Sequence, residues 1–448
     1  MTEVGTYLRN LVVGVDEKVP LLDGKYVTAI NFDNAATTPP FYSVMRKIND
    51  FAPWYASIHR GAGYKSIVSS DIFEEGRTVI QKFVNADPTR DVVIYTKNTT
   101  EAINMLSYRL FQDDKNQIIL SSEMEHLAND LPWRDKFKID YISINQHGAI
   151  SLEDLELKLI KYDGKVKLVT VTGASNVTGY INPIYKIARL AHKYGAKILV
   201  DGAQLVPHCP IDMQPYESQE HIDYLVFSAH KMYAPFGVGV LIGPKGIFER
   251  GKPVYQGGGA VTLVSRQFVA WDDPPHKDEA GTPNAMGVVA LITAIQTLEH
   301  AGMQIIHEYE ERLINYTIEG LQCIDDIKLY CCTKEKEDRV SIIAFTIPGI
   351  SHELVAEILS CEAGISVRTG LFCAHPYVEK LLQLSNQELE YYKNNQGVSC
   401  PGLVRISLGL YNNYQEIDIM IDLLKWIASN KKICKQKYSP RPRRKGAR

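Results

Sequence analysis

The sequence lacks the features of a membrane protein, of a secreted protein and of a protein built around zinc. Its apolar runs are strand-sized, and none approaches the length of about 18 residues that a membrane span needs. The first ten residues lack a basic segment followed by an apolar one, so we expect no signal peptide. The eight cysteines include no CxxC pair and no Cys/His group with zinc spacing. We therefore expect a protein of the reducing cytoplasm, without metal ligands, whose cysteines are mostly small buried hydrophobic residues.

The sequence also lacks a large excess of either positive or negative charge. The net charge is −3 over 448 residues, which argues against binding of nucleic acid by the molecule as a whole. The exception is the stretch 431–448, which carries nine Lys or Arg and no acidic residue. We expect this stretch to be a disordered, solvated tail, and contact with an acidic partner is the alternative.

The chain is long enough for two or three domains, and its patterns divide it accordingly. Between 31 and 300, strand-sized apolar runs alternate with longer helical patterns, which predicts a large domain with a mainly parallel, doubly wound sheet. The range 301–430 reads as a smaller α+β domain. The range 1–30 is predicted to be a leader that contributes to the small domain, and 431–448 forms the tail.

Two apolar runs end in polar motifs that suit one kind of chemistry. The first leads into an Asp-Gly-Ala-Gln motif that starts at Asp201, and the second leads into a Ser-Ala-His-Lys motif that ends at Lys231. Pyridoxal phosphate needs a lysine that holds it as an imine and a carboxylate that keeps its ring nitrogen protonated. Ligands of open α/β sheets bind past the carboxyl ends of the strands. Together the two motifs predict a pyridoxal phosphate site.

Further strand ends carry groups that suit the same cofactor. Thr99 and Thr100 open a helix, where backbone N–H groups and hydroxyls form an anion site for a phosphate. His126 follows a second strand, and an imidazole there can stack on a flat ring and move protons. Asn176 follows a third strand and is placed to donate to the ring hydroxyl. Since parallel strands end at the same edge of a sheet, we expect these groups to converge.

The order of the motifs resembles that of the class V aminotransferase family of fold-type I pyridoxal phosphate enzymes. Within that family, the chain is most similar to cysteine desulfurases and selenocysteine lyases that have a short active-site loop. The resemblance extends from about residue 28 to 428. The motifs that carry it are Asn34-Ala35-Ala36-Thr37, Ile58-His59-Arg60-Gly61, Thr99-Thr100-Glu101, Glu125-His126, Ser175-Asn176, Asp201-Gly202-Ala203-Gln204, Ser228-Ala229-His230-Lys231, Glu279-Ala280-Gly281-Thr282-Pro283-Asn284 and Arg368-Thr369-Gly370.

The resemblance implies a fold and a set of cofactor contacts. The implied fold is α/β, with a mainly parallel sheet of the seven-stranded type in the large domain and a smaller α+β C-terminal domain. Lys231 would form the Schiff base, Asp201 would pair with the ring nitrogen, and His126 would stack on the ring and take part in catalysis. The other residues implied to contact the cofactor are Thr99, Thr100, Asn176, Gln204, Ser228, His230 and Thr282.

The resemblance also implies how the substrate is bound. Arg405 matches the arginine that grips the substrate carboxylate through two hydrogen bonds. Cys373 matches the nucleophile that takes sulfur, and Arg368 is the positive charge expected near its thiolate. Thr282 matches a threonine that reaches the cofactor of the other subunit, which implies a homodimer. The remaining residues matched to substrate binding are Asn34, Ala35 and His59.

The implied activity is conversion of L-cysteine to L-alanine, with the sulfur held as a persulfide on Cys373 and then passed to an unidentified acceptor. Leu371 and Phe372 stand where many short-loop desulfurases have histidines, so the acceptor and the pathway stay open. A C–S lyase, a selenocysteine lyase, an aminotransferase or an epimerase of the same family are the alternatives. Retention of Lys231 and Asp201 argues against a non-enzymatic binding module.

Overall fold

The computed structural model describes residues 3–113, 117–145, 148–330, 338–395 and 397–438. The chain divides into two compact units. The first unit comprises Met1–Ala36, Asn176–Tyr180 and Glu308–Arg448, and the second comprises Thr37–Ser175 and Ile181–His307.

The second unit is built on a seven-stranded sheet. In chain order its strands are β1 (Asp91–Thr96), β2 (Ile118–Ser122), β3 (Lys138–Ile142), β4 (Val166–Thr172), β5 (Lys197–Asp201), β6 (Tyr224–Ser228) and β7 (Gly239–Pro244). Their order across the sheet is β1-β7-β6-β5-β4-β2-β3. The neighbours from β6 to β3 are parallel, whereas β7 is antiparallel to both β6 and β1. The predicted mainly parallel sheet and the α/β fold class are confirmed.

The strands form as continuous apolar runs because they are buried along their length. Every residue of β1, β2 and β6 is buried, which is typical of a sheet covered on both faces. The longer helices of this unit are Tyr42–Phe51, Tyr64–Phe83, Thr99–Asp113, Leu152–Tyr162, Ile184–Lys193 and Ala285–Ala301. Short helices and turns lie at Ala52–Trp54, Leu127–Asn129, Leu131–Arg134, Ala229–Lys231, Lys245–Glu249 and His276–Asp278, and a hairpin pairs Val261–Val264 with Val269–Trp271.

The strand register brings the ends of most strands to one edge of this sheet. The parallel strands β2, β4, β5 and β6 all end there, and Gly239 at the start of β7 pairs with both Thr96 and Ser228. The end of β1 therefore lies at the same edge, two strands away from the end of β6. Residues that follow these strands are the ones the fold can bring together.

The first unit is a smaller α+β assembly. Its four-stranded antiparallel sheet has the order Lys328–Tyr330, Ile342–Thr346, Leu403–Ser407, Arg368–Gly370. Two-stranded pairs join Lys18–Pro20 with Tyr26–Thr28 and Ile30–Asn31 with Ile365–Ser366. Its helices are Glu3–Arg9, His352–Ala363, His375–Leu382, Asn386–Asn394, Tyr414–Ser429 and Lys431–Lys437, and helix Met303–Gln322 contains the boundary with the other unit.

The basic stretch departs from the prediction over its first half. Lys431–Lys437 forms a helix, so the prediction of a disordered tail from 431 onward is wrong for these residues. The helix is held by Cys434, whose side chain is buried, and by Lys437, whose Nζ lies 3.0 Å from Glu362 Oε1. The remaining part of the predicted tail, 439–448, lies outside the described residues.

Within the described ranges, no single helix has both the length and the apolar composition required to cross a membrane. Helices Ala285–Ala301 and Met303–Gln322 meet that criterion only as a pair, and they are bent by 77° at the break between them. Most residues of Ala285–Ala301 are buried.

Candidate active site

Asp201 and Lys231 lie at the ends of neighbouring strands in the second unit. Asp201 is the last residue of β5, and Lys231 ends the short turn Ala229–Lys231 that follows β6. Asp201 is 3% exposed, and its Oδ1 accepts a hydrogen bond from the Ala203 N–H at 3.0 Å. Burial raises the pKa of Asp201, and the nearby charge of Lys231 opposes that rise. The structure therefore brings the predicted lysine and carboxylate close enough to interact electrostatically.

This pair fits the requirements of pyridoxal phosphate. A buried carboxylate is stable in its charged form only beside a cation or strong donors, and a protonated ring nitrogen is such a partner. Lys231 supplies an amine that can hold the cofactor covalently. Gln204 is also buried, in the turn that directly follows Asp201. The donor set at this edge is the one that the sequence predicts.

The start of helix Thr99–Asp113 provides groups for an anion. The Thr99 N–H donates to Ser228 Oγ at 2.8 Å, and the two hydroxyl oxygens lie 2.7 Å apart. Thr100 is exposed at the second position of the helix, where backbone N–H groups have no partner within the helix. Burial, together with the charge of Lys231, lowers the pKa of His230 to about 4, so this imidazole is neutral near pH 7. Thr99 and Thr100 of the predicted anion site, and Ser228 and His230 of the predicted cofactor contacts, thus lie along one stretch of the sheet edge.

The close approach of this helix start depends on a glycine in the neighbouring strand. Gly239 lies opposite both Thr96 and Ser228. A Cβ atom on Gly239 would lie 2.5 Å from the backbone carbon of Asn98, which is closer than real contacts allow. Only glycine lets the turn before Thr99 cross the start of β7.

His126 follows β2 and caps a short turn. Its Nδ1 accepts a hydrogen bond from the Ala128 N–H at 3.0 Å. A neutral imidazole that accepts at Nδ1 carries its proton on Nε2. His126 can therefore present a protonated Nε2 as a donor at the sheet edge.

Glu125 was given no role by the sequence, yet it is as deeply buried as Asp201. Its carboxyl group accepts hydrogen bonds from the Asn129 amide at 2.6 Å, from the Thr172 N–H at 2.9 Å and from the Ser122 hydroxyl. Burial raises the pKa of Glu125 to about 8, and the charge of Asp201 adds to the effect. The only signal in the sequence was an acid next to His126 just past an apolar strand.

Thr38 is a second residue that sequence patterns missed. Its N–H donates to the His230 carbonyl at 3.0 Å, and its Oγ accepts from the Tyr233 N–H at 2.8 Å. The Thr37 hydroxyl donates to the same carbonyl at 3.0 Å. These contacts fix the backbone on both sides of Lys231.

Arg405 lies in the first unit, at the centre of strand Leu403–Ser407. It is 3% exposed, and it donates to the Asn176 carbonyl at 2.9 Å and to Asp33 Oδ1 at 3.0 Å. Burial lowers its pKa to about 10, although Asp33 opposes that change. Its Nε is buried and has no acceptor among the described residues. Arg405 is thus a preorganised cation with hydrogen-bonding capacity left over.

Cys373 lies in the same unit, in the turn between strand Arg368–Gly370 and helix His375–Leu382. Its side chain is exposed, and both Phe372 and Cys373 adopt positive φ angles, 51° and 53°. The Asn176 amide supports this turn by donating to the Phe372 carbonyl at 2.7 Å. Cys373 and Arg405 interact electrostatically, and the Arg405 guanidinium lies 5.0 Å from the centre of the Phe372 ring. Asn176 therefore connects the arginine to the cysteine turn.

The other predicted substrate residues of this unit lie nearby. Arg368 pairs with Arg405 in the strand register, and its Nη1 is 3.7 Å from Asp33 Oδ2. The Asn34 amide donates to the Ser407 carbonyl, and the Ala35 N–H donates to the Ser407 hydroxyl at 2.9 Å. The first unit thus gathers Asn34, Ala35, Asn176, Arg368, Cys373 and Arg405.

His59 and Thr282 lie in the second unit, where both line a cavity of about 580 Å³. His59 Nε2 is 2.8 Å from Glu74 Oε1. Thr282 belongs to the loop that precedes helix Ala285–Ala301.

Comparison with known proteins gives consistent matches. Residues 30–420 match the family model described as Aminotransferase class-V. A Synechocystis protein named "Probable cysteine desulfurase" is 33% identical over 431 residues, covering 94% of this chain and 96% of the relative. A cysteine desulfurase of Shigella sonnei is 33% identical over 376 residues, covering 82% of this chain and 85% of the relative. The solved apo structure of a cysteine desulfurase from Thermococcus onnurineus superposes with a TM-score of 0.79 at 29% identity, over 90% of this chain and 95% of that one.

Proposed function

This chain belongs to the class V aminotransferase family and is similar to cysteine desulfurases over most of its length. We therefore propose that it is a pyridoxal phosphate-dependent cysteine desulfurase. It converts L-cysteine to L-alanine and takes the sulfur onto Cys373 as a persulfide. The observation that carries the cofactor assignment is the buried Asp201 carboxylate beside Lys231.

The second unit supplies the groups that would hold the cofactor. Lys231 would hold it covalently, and Asp201 would keep the ring nitrogen protonated. Thr100, Ser228 and neutral His230 would donate hydrogen bonds to the phosphate. Bound in this way, pyridoxal phosphate supplies an electron sink for the amino acid joined to it. His126 would stack on the ring and offer its Nε2 proton.

Lys231 would also act in proton transfer. Its free amine takes the α-proton of cysteine and returns a proton later in the reaction. Thr38 supports this role because it fixes the backbone at His230, next to Lys231.

Arg405 would bind the substrate carboxylate. A guanidinium presents donors in a planar fork that matches a carboxylate, and the buried Nε of Arg405 is a donor with no acceptor among the described residues. Asp33 and the Asn176 carbonyl hold the group in place while leaving this capacity.

Cys373 carries out the sulfur transfer. Its thiolate attacks the substrate sulfur, so a new S–S bond forms while the Cβ–S bond of the substrate breaks. The substrate carbon gains a proton and leaves as alanine, and Cys373 keeps the sulfur as a persulfide. An external thiol or an acceptor, not identified here, then removes the sulfur.

Product analysis with L-cysteine tests this function. In the presence of a thiol reductant, the protein should release alanine and sulfide in equal amounts. Cys373→Ser should release neither while still binding the cofactor, and Cys323→Ser, which alters another exposed cysteine, should behave as the wild type. Sulfide release by Cys373→Ser together with pyruvate rather than alanine would replace the desulfurase proposal with a C–S lyase.

A further inference from the structure

Three side chains of the second unit converge to form a compact set of nitrogen and oxygen donors. One donor atom each of His59, Glu74 and His276 lies within 4.8 Å of the other two. His59 Nε2 is 2.8 Å from Glu74 Oε1. The rings of His59 and His276 are 4.9 Å apart between centroids and inclined by 74°. The set contains two imidazoles and one carboxylate, and no thiolate.

His276 also has an unpaired ring nitrogen. Its Nδ1 is buried and has no hydrogen-bond partner among the described residues. Buried polar atoms are nearly always hydrogen-bonded, so an unpaired one calls for a partner that the protein itself does not supply. The lone pair of a neutral imidazole is a good ligand for a borderline metal ion.

The charges around the cluster leave room for a cation. Arg77 donates to Glu74 at 2.9 Å and forms two hydrogen bonds with Glu279, at 2.8 and 2.9 Å. One guanidinium thus faces two carboxylates, which leaves one negative charge unbalanced. The contact with Arg77 also fixes the orientation of the Glu74 carboxylate, as partners outside the ligand set commonly do in metal centres.

The cluster is open to a small ligand and is held in an unusual backbone conformation. His59 and His276 both line the cavity of about 580 Å³ described above. His59 has a φ of 69°, which is uncommon for a residue other than glycine. The conformation is supported by its N–H, which donates to Ser70 Oγ at 2.8 Å. Backbone strain of this kind tends to cluster at functional sites.

We propose that His59, Glu74 and His276 bind a divalent transition-metal ion, with Zn²⁺ as the best match to a His₂Glu set. Water from the cavity completes the coordination. His59, which the sequence places among the substrate-binding residues, is thereby assigned to the ion. The proposal does not depend on desulfurase activity, because metal binding can be measured whether or not cysteine is turned over.

Equilibrium dialysis of the cofactor-loaded protein against Zn²⁺, followed by elemental analysis, tests the site. The wild type should take up one equivalent per chain at saturation. His276→Ala should bind at least about tenfold more weakly. His300→Ala, which removes an exposed histidine of helix Ala285–Ala301, should bind as the wild type does.

Two further variants keep the result decisive. Cys373→Ser should retain the zinc, because the site contains no thiol. His276→Asn serves if the alanine variant does not fold, and Zn²⁺ should raise the melting temperature of the wild type but not of this variant. Unchanged zinc affinity in the His276 variants, loss of zinc in Cys373→Ser, or no uptake by the wild type would overturn the proposal. The last result would leave His59 and Glu74 as a hydrogen-bonded pair without an ion.

Discussion

Asp201 and Glu125 are two buried carboxyl groups whose charge states are set by different surroundings. Asp201 lies within the field of Lys231, whereas Glu125 is enclosed by neutral donors. Burial raises the pKa of both groups, and the charge of Asp201 adds to the rise at Glu125. The site therefore favours one carboxylate and one neutral acid near pH 7, with the charge on the group that faces Lys231.

Glu125→Gln should change the pH dependence of stability. The folded-state pKa of about 8 lies above the ordinary value of 4.5, so the folded protein holds a proton that the unfolded chain has lost between these limits. The stability contributed by the neutral Glu125 carboxyl is fully present below about pH 4.5 and is lost as the pH rises through 8. The free energy of unfolding falls by at most about 5 kcal/mol over this range. Glutamine stays neutral, so the wild type should lose stability relative to the variant between pH 5 and 9. Urea unfolding of both proteins across this range measures the difference, and parallel curves would contradict the assignment of a neutral Glu125.

Asp201→Asn should separate cofactor attachment from catalysis. Asparagine keeps the shape of the side chain but cannot carry the negative charge that holds a proton on the ring nitrogen. We expect covalent attachment through Lys231 to persist, while alanine formation falls by about 10²–10³-fold, the usual effect of removing one preorganised electrostatic partner. Absorbance reports the attachment and amino-acid analysis reports the rate. A variant with wild-type turnover would show that Asp201 does not act on the ring.

At the residue scale, the sequence could reveal some of the site but not all of it. Lys231 and Asp201 were visible because each directly follows an apolar strand. The cluster of His59, Glu74 and His276 was not, since its members come from separate parts of the chain and only the fold brings them together. The expectation of no metal ligands rested on short spacings, which such a set does not have.

At the scale of elements, the pairing of β7 between β1 and β6 shapes the phosphate end of the site. The alternation of strands and helices predicted the parallel strands, but it gave no sign that one strand runs antiparallel. Helix Tyr64–Phe83 could not be predicted from hydrophobic periodicity either. Its buried face has helical spacing but carries small or polar residues in several places, among them Ser66, Ser69 and Arg77.

Gly239→Ala should weaken cofactor binding without altering any side chain that would touch the cofactor. The added Cβ would lie 2.5 Å from the Asn98 backbone and would displace the turn that leads to Thr99. We expect faster loss of pyridoxal phosphate on dialysis, with at least about a tenfold rise in its dissociation constant. Gly246→Ala is the matched control, because a Cβ there meets no atom within 4 Å. Equal retention by the two variants would mean that the close approach at Gly239 does not set the phosphate site.

At the scale of the whole molecule, the two units interleave along the chain in a way that sequence patterns do not show. Asn176–Tyr180 belongs to the first unit, although the residues on either side belong to the second. The boundary near 300 that composition suggests falls instead at His307, within helix Met303–Gln322. Hydrophobic periodicity continues through this helix and so gives no signal of where one unit ends.

The proposed homodimer with shared active sites can be tested by complementation. If Thr282 completes the site of the other subunit, Lys231→Ala and Thr282→Ala should each be impaired alone. A mixture allowed to exchange subunits should recover activity, because mixed dimers contain one site with both residues intact. Sedimentation should show a dimer for the wild type. A fully active monomer, or mixed dimers without recovery, would contradict shared sites.

Mass spectrometry of the protein after addition of L-cysteine, without reductant, tests the central claim most directly. A desulfurase that works through Cys373 should gain the mass of one sulfur atom on the peptide containing Cys373, and alanine should appear in equal amount. Cys373→Ser should gain no sulfur while the cofactor stays bound to Lys231. Sulfur on any other cysteine, or alanine formation by Cys373→Ser at the wild-type rate, would contradict the account.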